Sequence, residues 1–499
     1  MNLLPASYDW YADYFLNEQD KPECQAVSKQ LDNYKDGDGF YKITPVAMAD
    51  LLLPLATKFY RYEPKSKVWY RFNGKYCETS EQLFTDVKDS LNDCKNRCGG
   101  ALLSFRKNAF NIIHQAQFLP AVITCMQKSH QIHIDINDFD HDLDCANTPD
   151  GFYNLLSLTS DPNSIEHMCR QMTAVAPMDD EDGKNCPYYM AHLDYITQGR
   201  QDIIQWIEEI SGYLLTGRTF AKEFYWFCGI SDSGKSQLTI AWRDILGNIL
   251  PHSYFIEASN TLFAHKYFEP HPEVWYRLIG KRMILTEELQ DGKWNESLIK
   301  EFTSGNPMNG AKKFGDTVSF LPVGKLIFLS NKQPSMDGAD SGMVTRLNLL
   351  DFTKQIPTDK RIPDFGTEVL FKQEGPYILN RMMKAAQRVL LRRKLSKPQA
   401  VQDSTKEYIQ DNNLVELFFK DGCITGTDYS ETWKNLHTAC NLWCNENGYD
   451  CPSLKEFRNI VKTLSYKTGR NHAARTVLGI TLNDLYKKKI NIPVYTPYN

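Results

Sequence analysis

The stretch FYWFCGISDSGKSQL, residues 224–238, decides the fold of this chain. An apolar run leads into a loop that begins at Gly229 and ends with Gly234-Lys235-Ser236, and a helical pattern follows. This is the pattern G-x-x-x-x-G-K-[ST] between a strand and a helix, the setting in which it forms a phosphate-binding loop, or P-loop. The sequence therefore predicts an α/β fold with a nucleotide site at this loop.

The chemistry of phosphate binding explains the spacing of the loop. Gly229 and Gly234 let the backbone turn tightly, so that successive N–H groups point at phosphate oxygens, and the following helix adds the positive end of its dipole. Lys235 is expected to contact the β- and γ-phosphates of ATP, and the Ser236 hydroxyl to ligate Mg²⁺. A glycine- and serine-rich turn that contains a lysine by chance is the alternative. The predicted nucleotide-binding residues are Gly229, Ile230, Ser231, Asp232, Ser233, Gly234, Lys235, Ser236 and Gln237.

Two acids follow the next buried strand pattern. Residues 282–286 are predicted to form a short strand that ends at Glu287-Glu288. A carboxylate at the end of a neighbouring parallel strand holds the water shell of Mg²⁺ and polarises the attacking water. We therefore interpret both acids as catalytic, and Glu288 also as a metal ligand. A solvated acidic turn is the alternative.

Two further polar residues flank strand patterns downstream. The apolar segment 325–330 ends at Asn331, where an amide orients the attacking water or binds the γ-phosphate. Arg346 stands just before the next strand pattern, in SGMVTRLNLLDF. A guanidinium in that position is suited to act as an arginine finger on the nucleotide of a neighbouring subunit. We therefore count Asn331 and Arg346 among the catalytic residues of an ATPase.

This order of motifs resembles the superfamily three helicases, and among them the primase–helicases of poxviruses, satellite phages and mobile genetic islands. The resemblance is carried by GYLLTG (212–217), by LIGKRMILTEE, by LIKEFTSGNPMNGAKKFGDTVSFLPVGKLIFLSN and by the Arg346 segment. It implies an AAA+ P-loop ATPase core, a homo-oligomeric, hexameric ring, and movement on single-stranded DNA from 3′ to 5′.

The chain departs from this family at three places. Ser233 stands where an asparagine often precedes the Gly-Lys-Ser triplet, and Thr345 stands where a second arginine is usual. Glu288 matches the single glutamate typical of the family, whereas Glu287 fills a position that is often small. Glu288 is therefore the stronger candidate of the two acids, and Arg346 is the remaining candidate for the finger.

A basic turn lies between the acids and Asn331. In the family, a hairpin at this place carries a basic residue into the central channel, which implies that Lys312, Lys313 and Phe314 bind DNA. The formal net charge of −4 argues against a broadly basic surface. A ring nevertheless gathers a few cations per subunit into one channel. A solvated turn is the alternative.

The length of 499 residues corresponds to three or four domains. KVWYRFNGKYCET predicts a β-hairpin, and isoleucines at helical spacing in DIIQWIEEISGYLLTG predict an amphipathic helix. A basic helix is predicted at 381–397, with its cations facing DNA or solvent, and helical patterns are predicted at 431–448, 453–464 and 470–489. We expect an N-terminal mixed α+β domain of unknown role (1–100), a linker and helical collar domain (101–205), an AAA+ helicase core (206–380), and a basic helix with a winged-helix-like domain (381–499).

Thirteen cysteines, an odd number spread along the chain, are typical of free thiols in a reducing compartment. Two groups have spacings that metal ligands use: Cys94 with Cys98, and His437 with Cys440, Cys444 and Cys451. Cys440 and Cys444 lie one turn apart in the pattern of an amphipathic helix, which favours buried core cysteines. A zinc site is the alternative.

No apolar run approaches the roughly 20 residues that a membrane span requires, and the N-terminal residues lack the pattern of a signal peptide. We therefore expect a cytoplasmic location, in a bacterial host or at a site of viral replication. The predicted function is an ATP-dependent replicative DNA helicase of a virus, phage or mobile element. Its expected partners are single-stranded DNA, forked duplex, copies of itself, and replication proteins of the host or element. An origin-binding initiator and a non-helicase AAA+ remodeller are the alternatives.

Overall fold

The computed structural model describes residues 44–81, 83, 85, 115–248, 252–264, 270–288, 294–313, 315–333, 341–411, 413–449, 451–464, 466–470 and 474–492. Phe314, Cys94 and Cys98 lie outside these ranges, so the predictions made for them stay predictions.

The strands in chain order are β1 (Tyr60–Glu63), β2 (Val68–Phe72), β3 (Cys77–Thr79), β4 (Cys145–Thr148), β5 (Gly151–Asn154), β6 (Thr159–Asp161), β7 (Phe224–Gly229), β8 (Phe255–Glu257), β9 (Met283–Glu287), β10 (Met308–Ala311), β11 (Thr317–Phe320), β12 (Lys325–Ser330), β13 (Leu347–Phe352), β14 (Cys423–Thr432), β15 (Thr468–Arg470) and β16 (Arg475–Leu482).

The α-helices are α1 (Pro45–Ala56), α2 (Phe118–Met126), α3 (Pro187–Thr197), α4 (Gln201–Leu215), α5 (Lys235–Ile245), α6 (Pro272–Tyr276), α7 (Glu296–Thr303), α8 (Ser341–Val344), α9 (Gly375–Arg392), α10 (Gln399–Asp411), α11 (Leu414–Gly422), α12 (Trp433–Asn447), α13 (Leu454–Thr463) and α14 (Asp484–Lys489). A π-helix spans Gly366–Phe371. Within the described ranges, the helices are too short or too polar to cross a membrane.

The centre of the molecule is a parallel five-stranded sheet in the order β13-β7-β12-β9-β8. Counted along the chain, this is the strand order 5-1-4-3-2. The strands predicted at 282–286 and 325–330 are observed as β9 and β12. The predicted α/β fold with a parallel sheet is therefore confirmed.

Both faces of this sheet are buried, as in other parallel sheets that are covered on two sides. Along β7, Tyr225 and Phe227 pack into one apolar core, whereas Phe224 and Trp226 pack into a second. The alternation follows from the period of two in a strand. The unbroken apolar run before the P-loop is explained by these two cores.

Helix α4 joins the first of these cores and packs against α9. The predicted amphipathic pattern is confirmed, since Ile203, Ile207 and Ile210 are buried. At Gly212 a Cβ would collide with the backbone of α9 at Ala386. The glycine therefore lets the two helices approach closely.

Two buried cations hold the C-terminal end of α4. Arg282, just before β9, donates hydrogen bonds to the carbonyl oxygens of Leu215 and Cys145. Lys325, the first residue of β12, donates to the carbonyl oxygen of Thr216, and burial holds the pKa of Lys325 well below its usual range. Because the last carbonyls of a helix have no partner within it, the two cations satisfy groups that burial would leave unpaired.

The basic helix predicted at 381–397 differs from the prediction in extent and surroundings. The observed helix, α9, spans Gly375–Arg392, so it begins before residue 381 and ends before residue 397. Arg381 pairs with Asp180 at 3.0 Å, and Arg392 pairs with Glu209 at 2.6 Å. Both cations therefore hold α9 to neighbouring acids, but Arg392 is also exposed to solvent, and a contact of this helix with DNA stays a prediction.

The part of the chain before α3 contains two small antiparallel sheets, in the orders β1-β2-β3 and β4-β5-β6. The predicted hairpin is confirmed as β2–β3, in which Phe72 pairs with Cys77. The domain boundaries predicted at 205/206 and 380/381 fall inside α4 and α9. The division into domains stays a prediction.

The C-terminal part has an apolar core of its own and the order α11, β14, α12, α13, β15, β16, α14. Its antiparallel sheet has the order β14-β16-β15. The helical pattern predicted at 475–482 is wrong, because this segment forms β16. Pairing with β14 and β15 decides its structure, as tertiary context often does for apolar and β-branched residues.

Candidate nucleotide-binding site

The P-loop joins the end of β7 to the start of α5, as the sequence predicts. Gly229 has a φ of 137° and Gly234 a φ of 92°, a region that favours glycine. A Cβ on Gly229 would collide with the Phe352 carbonyl of β13, and a Cβ on Gly234 would lie 2.7 Å from the His192 ring. Both glycines are therefore required by the backbone and by close neighbours.

Lys235 is the first residue of α5 and is 5% exposed. Its ammonium group donates hydrogen bonds to the Gly229 carbonyl at 3.0 Å, the Ile230 carbonyl at 3.1 Å and Asn331 Oδ1 at 2.7 Å. Burial lowers the pKa of Lys235 from its usual range. The cation is thus already held among oxygens at the loop, which reduces the further desolvation needed to bind phosphate.

Ser233 carries a buried hydroxyl that has no hydrogen-bond partner among the described residues. Buried polar atoms nearly always have a partner, so this hydroxyl fits a ligand at the loop. Ser236 follows Lys235 in α5, and Glu288 follows β9. Hydroxyl and carboxylate oxygens are donors that Mg²⁺ prefers. The residues present therefore fit the expected ATP and Mg²⁺.

Glu288 and Asn331 lie at the same edge of the sheet as the P-loop, because they follow the parallel strands β9 and β12. The Asn331 backbone N–H donates a hydrogen bond to Glu288 Oε1 at 2.7 Å. Glu288 has a φ of 38°, a strained value for a residue other than glycine, and its own N–H donates to the Leu329 carbonyl at 2.9 Å. The turn after β9 thus directs this carboxylate to the residue that also binds Lys235.

Glu287 has different surroundings. It is the last residue of β9, and its pKa is raised by partial burial and by the nearby carboxylate of Glu257. The bond to Asn331 involves Glu288. The structure therefore separates the environments of the two acids, while their catalytic roles stay predictions.

A cavity of about 460 Å³ opens beside the P-loop. Its volume lies within the range of small-molecule sites, about 300–1,000 Å³. Its walls are α3, the P-loop with the start of α5, and the segment 356–365. The side chains that line it outside the P-loop and α5 include Tyr188, His192, Tyr195, Ile356, Arg361, Ile362 and Phe365.

His192 connects the cavity wall to the P-loop. Its Nε2 lies 3.1 Å from the Gly234 carbonyl oxygen, and burial lowers the pKa of His192 to about 4. The ring is therefore neutral near pH 7, and Nε2 carries the proton donated to the carbonyl. Arg361 pairs with Asp232 of the loop at 2.8 Å.

Sequence reasoning missed His192 and the segment 356–365. They are far from the P-loop along the chain, and no motif marks them. Gly234 is the one signal in the sequence that could have pointed to His192. A glycine in a loop allows another side chain to pack closely against it, but it does not show which side chain that is.

Arg346 lies at the opposite edge of the sheet. Its carbonyl oxygen accepts a hydrogen bond from the N–H of Phe224 at 2.9 Å, at the start of β7, whereas the P-loop follows the end of β7. Its guanidinium donates to Thr303 Oγ1 at 3.1 Å, Ser304 Oγ at 3.0 Å and the Gly342 carbonyl at 2.8 Å. Its action on the nucleotide of a neighbouring subunit stays a prediction.

Strands β10 and β11 form a hairpin with the two lysines at its turn. The ammonium group of Lys312 lies 5.6 Å from the centre of the Tyr276 ring, and Lys313 is exposed. A Cβ on Gly310 would lie 2.5 Å from the Tyr276 nitrogen, so this glycine packs the hairpin against α6. Lys313 is the more accessible of the two lysines, and the contact with DNA stays a prediction.

Residues 47–212 match a family model described as D5 N terminal like. The matched segment begins in α1 and ends in α4, so it precedes the P-loop. No curated protein matches the chain.

The structure is similar to solved structures of the NrS-1 C-terminal region. An A-form apo structure of that region is 10% identical, with a TM-score of 0.43, and the match covers 88% of this chain and 100% of that chain. A second A-form apo structure is 11% identical, with a TM-score of 0.41 and coverage of 87% and 99%. A further apo structure is 12% identical, with a TM-score of 0.40 and coverage of 89% and 100%.

Proposed function

We propose that this chain is an ATP-dependent DNA helicase that acts in the replication of a virus, phage or mobile element. The observation that carries the proposal is the meeting of Lys235, Glu288 and Asn331 at one edge of a parallel sheet with strand order 5-1-4-3-2. The P-loop follows the first strand, Glu288 follows the third, and Asn331 follows the fourth. This arrangement supports the AAA+ core that the sequence resemblance implies.

The site has a group for each part of ATP hydrolysis. Lys235 stabilises the negative charge that the β- and γ-phosphates carry in the transition state. Glu288 accepts a proton from the attacking water, and Asn331 fixes the Glu288 carboxylate through its N–H. Mg²⁺ held through Ser236 and Glu288 supplies further charge neutralisation when it is bound.

The cavity beside the P-loop is the proposed site of the adenine base. Its lining by Tyr195, Ile356 and Phe365 is mainly aromatic and aliphatic, as a flat base requires. Neutral His192 holds the Gly234 turn without adding positive charge. The base therefore lies between α3 and the segment 356–365, with the phosphates on the loop.

The DNA-related part of the proposal draws on three further observations. The match of residues 47–212 to the D5 N terminal like model supports a replication protein of the primase–helicase type. Arg346 lies far from its own P-loop, which agrees with a finger acting between subunits of a ring, and a hexamer is the expected ring. Lys313 at the β10–β11 turn supplies a cation for a central channel.

The C-terminal part favours a second candidate function, an origin-binding initiator whose ATPase drives assembly. The order helix, strand, helix, helix, strand, strand from α11 to β16 supports a winged-helix-like domain. Its α13 and sheet carry cations that are suited to phosphate contacts. These cations are Arg458, Lys462, Lys467, Arg470 and Arg475.

The test is the ATPase rate with and without single-stranded DNA, together with native mass spectrometry and unwinding of a forked duplex. A helicase shows DNA-stimulated hydrolysis, a ring mass and ATP-dependent unwinding. Binding to one duplex sequence far more tightly than to random duplex, without unwinding, would identify the initiator. A DNA-insensitive ATPase that unwinds nothing would contradict both.

A further inference from the structure

Three cysteine side chains converge in the C-terminal part. Cys440 and Cys444 lie one turn apart on α12 and are fully buried, and Cys451 lies beyond the end of that helix. The three sulfur atoms all lie within 4.8 Å of one another. Among the histidine, cysteine and acidic side chains that the structure describes, these three cysteines are the group whose ligand atoms lie this close together.

The chain turn after α12 creates the convergence. Gly448 ends the helix with a φ of 75°, a left-handed value suited to glycine. The N–H of Tyr449 then donates to the Cys444 carbonyl at 2.8 Å, which folds the chain back along the helix. Cys451 is thereby returned to the face that carries Cys440 and Cys444.

His437 lies on the same face of α12, since positions 437, 440 and 444 are spaced by three and four residues. Its Nε2 lies 2.9 Å from the Pro452 carbonyl oxygen, and the Cys451 thiol lies 3.5 Å from the same oxygen. A histidine that ligates a metal through one ring nitrogen commonly donates its other N–H to a backbone carbonyl. The Pro452 contact therefore leaves Nδ1 as the nitrogen for a metal.

We propose that Cys440, Cys444, Cys451 and His437 bind a structural Zn²⁺ ion. Three thiolates and one imidazole form a ligand set that is common at structural zinc sites, and Zn–S bonds of about 2.3 Å in a tetrahedron place the sulfurs about 3.8 Å apart. The three sulfurs need only a small contraction to reach this geometry, whereas the His437 ring lies outside the 4.8 Å group and would have to move to complete the tetrahedron. A disulfide is the other bond that such close sulfurs could form, but it would use only two of the three, whereas a zinc ion would bind all three.

The ion would fix the connection between α12 and α13. Ser453, the N-cap of α13, follows directly after Cys451 and Pro452 and forms a capping box with Glu456. The zinc would therefore set the orientation of the helix that carries Arg458 and Lys462. This role is independent of ATP hydrolysis.

The first test is the metal content of the full-length chain, purified from zinc-supplemented cells without chelator and measured by elemental mass spectrometry. We expect about one zinc per chain, and release of that zinc when a mercurial reagent modifies the thiols. Cys451→Ser should lose the zinc. Cys423→Ser is the matched control, because Cys423 is a partly buried thiol of the same part of the chain outside the cluster.

Cobalt substitution keeps the proposal testable if Cys451→Ser folds poorly. Wild-type chain loaded with Co²⁺ should show thiolate-to-metal charge-transfer absorption and the visible bands of a tetrahedral site. His437→Gln should keep the charge-transfer band, shift the visible bands and weaken metal affinity by at least tenfold. Wild-type protein with no zinc and no charge-transfer band would overturn the site, and visible bands unchanged in His437→Gln would remove His437 from it.

Discussion

Lys235 Nζ donates a hydrogen bond to Asn331 Oδ1 over 2.7 Å, so the lysine of the P-loop and the amide at the end of β12 are in direct contact. The N–H of the same Asn331 binds the Glu288 carboxylate. If the chain binds ATP as proposed, the γ-phosphate would replace Asn331 Oδ1 as a partner of the lysine ammonium. Asn331, which also fixes the Glu288 carboxylate, would then change partners when phosphate binds.

Replacing Glu288 with glutamine should block hydrolysis and preserve binding of ATP. The amide keeps the shape of the side chain but cannot accept a proton, and a positioned base contributes about 10²- to 10⁴-fold to a rate. The measurement is kcat for ATP beside the Kd of a fluorescent ATP analogue. Glu301→Gln, an exposed acid of α7, is the control. Hydrolysis at the wild-type rate by Glu288→Gln would show that the acid is misassigned.

Mixing two inactive variants should restore part of the ATPase activity if Arg346 acts between subunits. In rings of Arg346→Ala and Lys235→Ala subunits, some sites combine an intact P-loop with an intact arginine. The loss in each pure variant should be large, since an arginine finger contributes about 10³- to 10⁵-fold. The readout is the hydrolysis rate across mixing ratios, with Arg200→Ala as an exposed control. A monomer that hydrolyses ATP at the full rate contradicts the prediction.

Replacing Lys312 and Lys313 with alanine should weaken binding to single-stranded DNA and abolish unwinding. Each lost phosphate contact lowers the slope of log K against log salt by about 0.7, and we expect Lys313→Ala alone to account for most of the change. Fluorescence anisotropy at several salt concentrations measures it. The basal ATPase rate should persist, and Lys372→Ala serves as the surface control. Unwinding at the wild-type rate by the double variant would show that the hairpin lies outside the DNA path.

His192 should make the protein less stable as pH falls through the range from 6.5 to about 4, its usual and folded pKa values. In that range the unfolded chain binds a proton that the folded chain does not. The free energy of unfolding contributed by this group therefore falls by about 1.4 kcal/mol per pH unit. His192→Gln, which keeps a donor for the Gly234 carbonyl, should flatten the dependence of Tm on pH. His141→Gln, at an exposed site, should leave the wild-type dependence, and an equal slope in all three proteins would count against the assignment.

Phe365→Ala should weaken binding of ATP while leaving binding of inorganic tripolyphosphate unchanged. Loss of an aromatic contact with a base costs about 1–3 kcal/mol, or roughly a 5- to 150-fold rise in Kd. Isothermal titration with both ligands separates the base pocket from the P-loop. An equal loss for both ligands would show that the segment 356–365 supports the loop instead of the base.

The sequence predicted those parts of the site whose signals are local. The strand, loop and helix around Lys235 are encoded by adjacent residues, and β9 and β12 are short apolar runs next to polar residues. Because parallel strands end at one edge, the same patterns place Glu288 and Asn331 at the edge that carries the P-loop, but the hydrogen bond between them was not predicted.

Contacts between distant segments could not be predicted in this way. His192 reaches the P-loop across 42 residues, and Arg361 reaches Asp232 from the other side. The segment 475–482 forms a strand because β14 and β15 flank it, which no local pattern reveals. Cys451 likewise joins Cys440 only through the turn at Gly448.

The cations at the end of α4 bear on how this protein can be dissected. Arg282 precedes β9 and Lys325 begins β12, the two strands that Glu288 and Asn331 follow. The bonds of Arg282 and Lys325 to Leu215 and Thr216 tie the segment before the P-loop to those strands. A fragment that begins at β7 would lack the carbonyls of Cys145, Leu215 and Thr216. Arg282 would lose both of its acceptors and Lys325 would keep only the Val323 carbonyl, a cost of several kcal/mol. A truncated ATPase fragment that starts at the P-loop strand is therefore a poor substitute for the whole chain in any assay of its activity.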